Sequence, residues 1–148
     1  MLQRFEQFTS AISSVYRDVQ KIERDEMEKQ GLRGAFAQYL LAIDRYPDGI
    51  TAAALCEVCD KDKAAVSRIV AEMEARGLVE KEADSQYRAK LRLTESGREA
   101  AAFVRKRASV AVELAGADLC DEERKVFYSA LERICASLQQ ISRTGIPE

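Results

Sequence analysis

The chain contains no histidine. That removes the commonest metal ligand, the commonest acid–base catalyst and the usual pH switch together. No apolar run approaches the ~20 residues that a membrane span needs. The N-terminal stretch MLQRFEQFTSAISSVYRDVQ mixes charged and apolar residues and has no signal-peptide core, so a cytoplasmic protein is expected. There is no glycine-rich phosphate loop and no nucleophile motif. The many carboxylates pattern as solvated helix faces, so an enzyme is not expected and no cofactor is called for. Internal repeats and low-complexity linkers are also missing. With 148 residues, 47% of them hydrophobic, the chain reads as one domain, 1–148, able to bury a sizeable core.

Four cysteines in a chain of this kind are expected to be buried thiols rather than a disulfide framework. Cys56-x-x-Cys59 lies on one face of a predicted helix and leaves a redox reading open. A metal reading would require Cys120, Cys135 or carboxylates as further ligands. Packing as small hydrophobes is the expected use of both thiols.

The net charge of −2 does not by itself suggest nucleic acid, but its distribution does. Residues 61–107 hold 12 basic and 8 acidic side chains. Residues 1–60 hold 7 and 10, and residues 108–148 hold 4 and 7. A local positive excess on a compact segment is the footprint expected of phosphate contact.

Periodicity supplies the elements. Phe5, Phe8, Ile12, Val15, Val19 and Ile22 recur at steps of three and four over residues 2–24, an apolar stripe on a helix. A second helix fits 33–46, with Phe36, Leu40, Leu41 and Ile43 as core, and Tyr46-Pro47-Asp48-Gly49 ends it. Thr51 caps a short helix carrying Leu55 and Val58. Asp60-Lys61 breaks that helix, and Asp62 caps a longer one whose inner face is Val66, Ile69, Val70 and Met73. Gly77 stands where a helix C-cap wants positive φ. Leu78-Val79 opens a strand, 83–88 forms a polar tip, and Ala89–Leu93 alternates as the returning strand. Thr94 caps a helix running to about Ala115. Asp121 is the expected cap of a last helix carrying Phe127, Leu131, Ile134, Leu138 and Ile141.

Two short helices joined by a tight turn, two short strands and a further helix follow the plan of a winged helix-turn-helix. The fold class is therefore mainly α with a small β-wing. Residues 33–98 form the DNA-binding part, and the long N- and C-terminal helices, 1–30 and 99–148, form a dimerisation part. Phe5, Phe8, Ile12 and Val15, with the five apolar residues of the last helix, are the expected homodimer interface. Double-stranded DNA is the expected partner, with no membrane. A winged-helix module for protein–protein contact is the alternative.

Within this segment stand Thr51, Leu55 and Glu57, then Asp62-Lys63, Val66-Ser67-Arg68, Arg76-Gly77-Leu78-Val79-Glu80-Lys81 and Leu93-Thr94-Glu95-Ser96-Gly97-Arg98. At these spacings they resemble the MarR (multiple antibiotic resistance regulator) family of winged helix-turn-helix transcription regulators, and the element order matches over nearly the whole chain. The resemblance implies a homodimeric repressor on a pseudo-palindromic operator, released by a small aromatic or anionic effector. It places Lys63, Ala64, Ala65, Ser67 and Arg68 on the exposed part of the recognition helix, with Lys61 in the turn before it. Arg68 can fork onto a guanine edge, although it also stands four residues before Glu72, where a helix-surface ion pair competes for its charge. Arg88 is the wing residue for the minor groove, and Lys90 and Arg92 on the returning strand are candidates for phosphate contact. Tyr16, Phe36, Tyr39 and Phe103 are the candidates for an effector cleft. The chain departs from the family in its alanines at 64 and 65, a short wing, and Asp60-Lys61 where relatives have glycine and an apolar residue.

Overall fold

The computed structural model describes residues 1–82 and 89–146, which form two compact units, Met1–Ala111 and Val112–Glu148. The first unit begins with α1 (Leu2–Lys29), α2 (Phe36–Asp44), β1 (Ile50–Thr51), α3 (Ala52–Cys59) and α4 (Lys63–Ala75). It continues through β2 (Val79–Lys81) and β3 (Lys90–Leu93) into α5 (Glu95–Ala115), whose last turn belongs to the second unit with α6 (Asp121–Thr144).

The predicted caps form as chemistry demands. The Ala54 N–H donates to Thr51 Oγ1 at 3.2 Å, and the Ala65 N–H to Asp62 Oδ1 at 2.8 Å, each satisfying a backbone donor that the helix itself leaves free. The strands make one antiparallel sheet in the order β1-β3-β2. Val79 pairs with Leu93, Lys81 with Leu91, and Ile50 with Leu91 across the other edge. Leu91 and Leu93 point inward while Lys90 and Arg92 face out, as the alternation predicts. The third strand, β1, is absent from the sequence reading. Two residues are too short to show a period, and only pairing with β3 makes them a strand.

The core gathers Met27, Phe36, Leu40, Ile43, Leu55, Val66, Met73, Leu91 and Val104, all essentially inaccessible to solvent. It corrects two expected boundaries. α1 runs beyond residue 24 because its C-terminal turn is part of this core, with Met27 and Glu26 both buried. Glu26 is tolerated there because Lys29 donates to one carboxylate oxygen and Arg107 Nε to the other at 3.1 Å. These partners, Lys29 first, hold its carboxyl below the ordinary range against the cost of burial. α2 starts at Phe36 rather than at residue 33, after a turn in which the Phe36 N–H bonds to the Arg33 carbonyl at 2.9 Å.

The Leu93-Thr94-x-x-Gly97 motif has a structural cause. Thr94 Oγ1 donates to the Gly77 carbonyl at 2.6 Å and accepts from the Gly97 N–H at 3.1 Å. A Cβ on Gly97 would lie 2.0 Å from the Leu78 carbonyl oxygen, so only glycine lets α5 start this close to β2. Gly77 itself takes φ +69°, the left-handed conformation that ends α4.

In the second unit α6 caps on Cys120, not Asp121. The Cys120 N–H donates to Glu123 Oε2 at 2.9 Å, and Asp121, Glu122 and Glu123 fill the first turn, where the helix dipole favours acids. No residue of α6 is buried.

Candidate nucleic-acid interface

α3, the turn at Asp60 and α4 form the helix-turn-helix. Asp60 adopts φ 50°, ψ 52°, and the Lys61 N–H donates to the Cys56 carbonyl at 3.0 Å, closing the turn without glycine. Gln38 Nε2 donates to the Cys59 carbonyl at 2.8 Å, tying α2 to the end of α3. α4 follows this turn with Val66, Ile69, Val70 and Met73 buried on its inner side. Lys63, Ala64, Ser67 and Arg68 are exposed on its outer side and Ala65 is half-buried; Lys61 in the turn is exposed as well.

The electrostatics separate two groups of cations. Among the described residues, Lys61, Lys63, Arg68 and Lys90 form no ion pair. Lys81 pairs with Glu74 at 3.0 Å, and Arg92 with Glu82 at 3.3 Å and with the Asp48 carbonyl at 3.2 Å. Arg92 is therefore engaged within the protein, unlike its neighbour Lys90. The expected competitor for Arg68 is also resolved: Glu72 pairs with Arg33, from the segment between α1 and α2, and Arg33 lies over the Phe36 ring at 5.9 Å. Sequence reasoning missed Arg33 and Gln38. Their partners lie 39 and 21 residues away, and no local pattern signals either contact. Arg88 lies outside the described residues.

The four cysteines are free thiols. Cys59 is buried, and desolvation, reinforced by the nearby Cys56, pushes its thiol up to about 11. Such a thiol is protonated and inert near neutral pH. Cys56 is half-buried and borders a cleft of about 540 Å³ with Val66, Val70 and Leu91. Cys59 borders a different cleft, of about 150 Å³, with Tyr16, Gln20, Glu23, Gln38 and Arg45. Of the four effector candidates only Tyr16 lines this smaller cleft. Phe36 and Tyr39 are core residues, 1% and 4% exposed, and Phe103 is partly buried against the core. Burial raises the Tyr39 phenol above its ordinary value, which keeps it neutral.

The expected dimer residues are displayed rather than packed. Phe5, Phe8, Ile12 and Val15 are exposed on α1. On α6, Phe127, Ile134, Leu138 and Ile141 are exposed and Leu131 is half-buried.

Residues 26–87 match the family model described as "MarR family", a span from the buried end of α1 through the helix-turn-helix. The crystal structure of MarR superposes with a TM-score of 0.77 at 25% identity, over 90% of this chain and 92% of that one. In sequence over residues 26–87, and in fold, this chain is similar to the MarR family. A MarR transcriptional regulator from Methanosarcina mazei Go1 is similar at 24% identity and TM-score 0.79, over 92% of both chains. A MarR-family transcriptional regulator from Listeria monocytogenes, solved in complex with 26mer DNA, is similar at 18% identity and TM-score 0.73, over 95% of this chain and 96% of that one. No curated protein matches the sequence. The matched span takes in α2, the helix-turn-helix and β2, and ends before β3.

Proposed function

We propose that this protein is a MarR-family, sequence-specific DNA-binding regulator, working in the cytoplasm as a homodimeric repressor on a pseudo-palindromic operator. The observation that carries the reading is the outer side of α4. A helix braced by the core on one face presents Lys63, Ser67 and Arg68 to solvent, with Lys61 beside them, and none of the three cations pairs with an acid among the described residues. Exposed, uncommitted cations near a helix N-terminus suit phosphate contact by Lys61 and Lys63 and base reading by Arg68. Ala64 and Ala65 offer methyl groups to thymine, and Lys90 a phosphate contact from the strand. Arg88 is proposed for the minor groove from the family pattern.

The homodimer is supported by the exposed apolar stripes of α1 and α6, which a second copy would cover. Two readers would then enter the major groove roughly one turn of DNA apart. For release, Tyr16 and Arg45 supply an aromatic wall and a cation in the smaller cleft, suited to a small anionic effector that favours a dimer geometry mismatched to the operator. The high thiol pKa of Cys59 weighs against a redox trigger at Cys56-x-x-Cys59.

The test is binding to duplex DNA from the gene's own upstream region, against scrambled duplex, over a salt series. Preferential binding that weakens steeply with salt is expected. With about six phosphates neutralised per dimer, the log–log slope should lie near −5. Absence of binding to any duplex at low salt would overturn the reading in favour of a protein-interaction module.

A further inference from the structure

Arg68 and Glu72 stand four residues apart on α4, the spacing at which opposite charges on a helix meet. Left to themselves they would pair, and the guanidinium needed at the DNA would be held against the helix. Glu72 is instead engaged by Arg33, 39 residues earlier in the chain. Arg33 is not a loose surface cation. Its guanidinium lies 5.9 Å from the centroid of Phe36, whose ring is 1% exposed and anchored in the core. The segment carrying Arg33 is itself set by the turn that starts α2. Arg68, exposed on the outer side of α4, is left with no ion pair among the described residues.

We propose that Arg33 is a positioning residue for the recognition helix: by holding Glu72 it keeps Arg68 free to reach DNA. The inference rests on the reading of α4 as the DNA-contacting helix.

The experiment begins with a duplex selected by the full-length wild-type protein from a random-sequence library. Affinity for that duplex is then measured for R33Q, E72Q, R68A and the doubles R33Q/E72Q and R33Q/R68A. R33Q should weaken binding about twofold, the strength of an exposed i,i+4 ion pair on a helix. R33Q/E72Q should regain wild-type affinity, and R33Q should have no further effect once Arg68 is gone. A loss with R33Q that persists in the R68A background and is not rescued by E72Q would make Arg33 a direct phosphate contact and overturn the proposal. So would an R33Q protein that binds like wild type. Failure to select any duplex would overturn the DNA-binding reading and this inference with it, whereas a selected duplex indifferent to Arg33 overturns the inference alone.

Discussion

α4 and α6 carry the same kind of sequence, an apolar stripe at steps of three and four beside a charged face, yet their stripes meet different fates. In α4, Val66, Ile69, Val70 and Met73 are all buried. In α6 nothing is buried, and Phe127, Leu138 and their neighbours lie open, with Phe127 and Tyr128 packed edge to face against each other at 5.3 Å. Amphipathicity says that a helix has something to bury, and not against what. The stripe of α4 faces the chain's own core. That of α6 would be covered by the proposed second copy, so the two helices should respond to mutation in different ways.

The largest contrast should come from replacing one leucine in each setting. Leu55→Ala, in the core behind α4, should lower the free energy of unfolding by about 2–5 kcal/mol at any protein concentration, read by denaturant melts. Leu138→Asp on α6 should leave the isolated fold nearly untouched but raise the dimer dissociation constant about 100-fold, measured by sedimentation equilibrium. A melt for Leu138→Asp that is concentration-independent and as damaging as Leu55→Ala would erase the distinction. Gly97→Ala probes the clasp between α5 and β2; a methyl group 2.0 Å from a backbone carbonyl should cost about 1–3 kcal/mol in the same melts. Asp62→Ala removes the cap of α4 and should cost about 1 kcal/mol. The smallest perturbation is chemical labelling at pH 8. Cys120, exposed, should react with a thiol reagent at once, and Cys59 only after unfolding. Prompt reaction of Cys59 in the folded protein would reopen the redox reading.

Most of the winged helix-turn-helix was legible in the sequence because its signals are local. Thr51 and Asp62 cap helices through a backbone amide three residues on, and Gly77 ends α4 through its own φ. The alternation of Lys90–Leu93 faces the sheet as expected. The errors fell where distant partners decide. β1 exists only through β3, and α1 extends to Lys29 because Glu26 finds Arg107, 81 residues away. Asp121 and Cys120 compete for one cap, and Glu123 gives it to Cys120. At the candidate interface the exposed positions of α4 followed from its inner stripe. Among the effector candidates, Phe36 and Tyr39 are buried in the core, a placement that aromaticity alone does not reveal.

By itself the sequence determined the order of the helices and of β2 and β3, the caps of α3 and α4 with the turns beside them, and the face that α4 turns inward. Those depend on contacts within about one helical turn, where residue type and spacing suffice. Tertiary structure alone decided which charges are spent and which remain available. Lys81 and Arg92 are engaged at the sheet, and Arg33 occupies Glu72, while Arg68 one turn away is left free among the described residues. An ion pair depends on distance in space, and the chain brings Arg33 to Glu72 only by folding α2 against the same core that supports the reading helix.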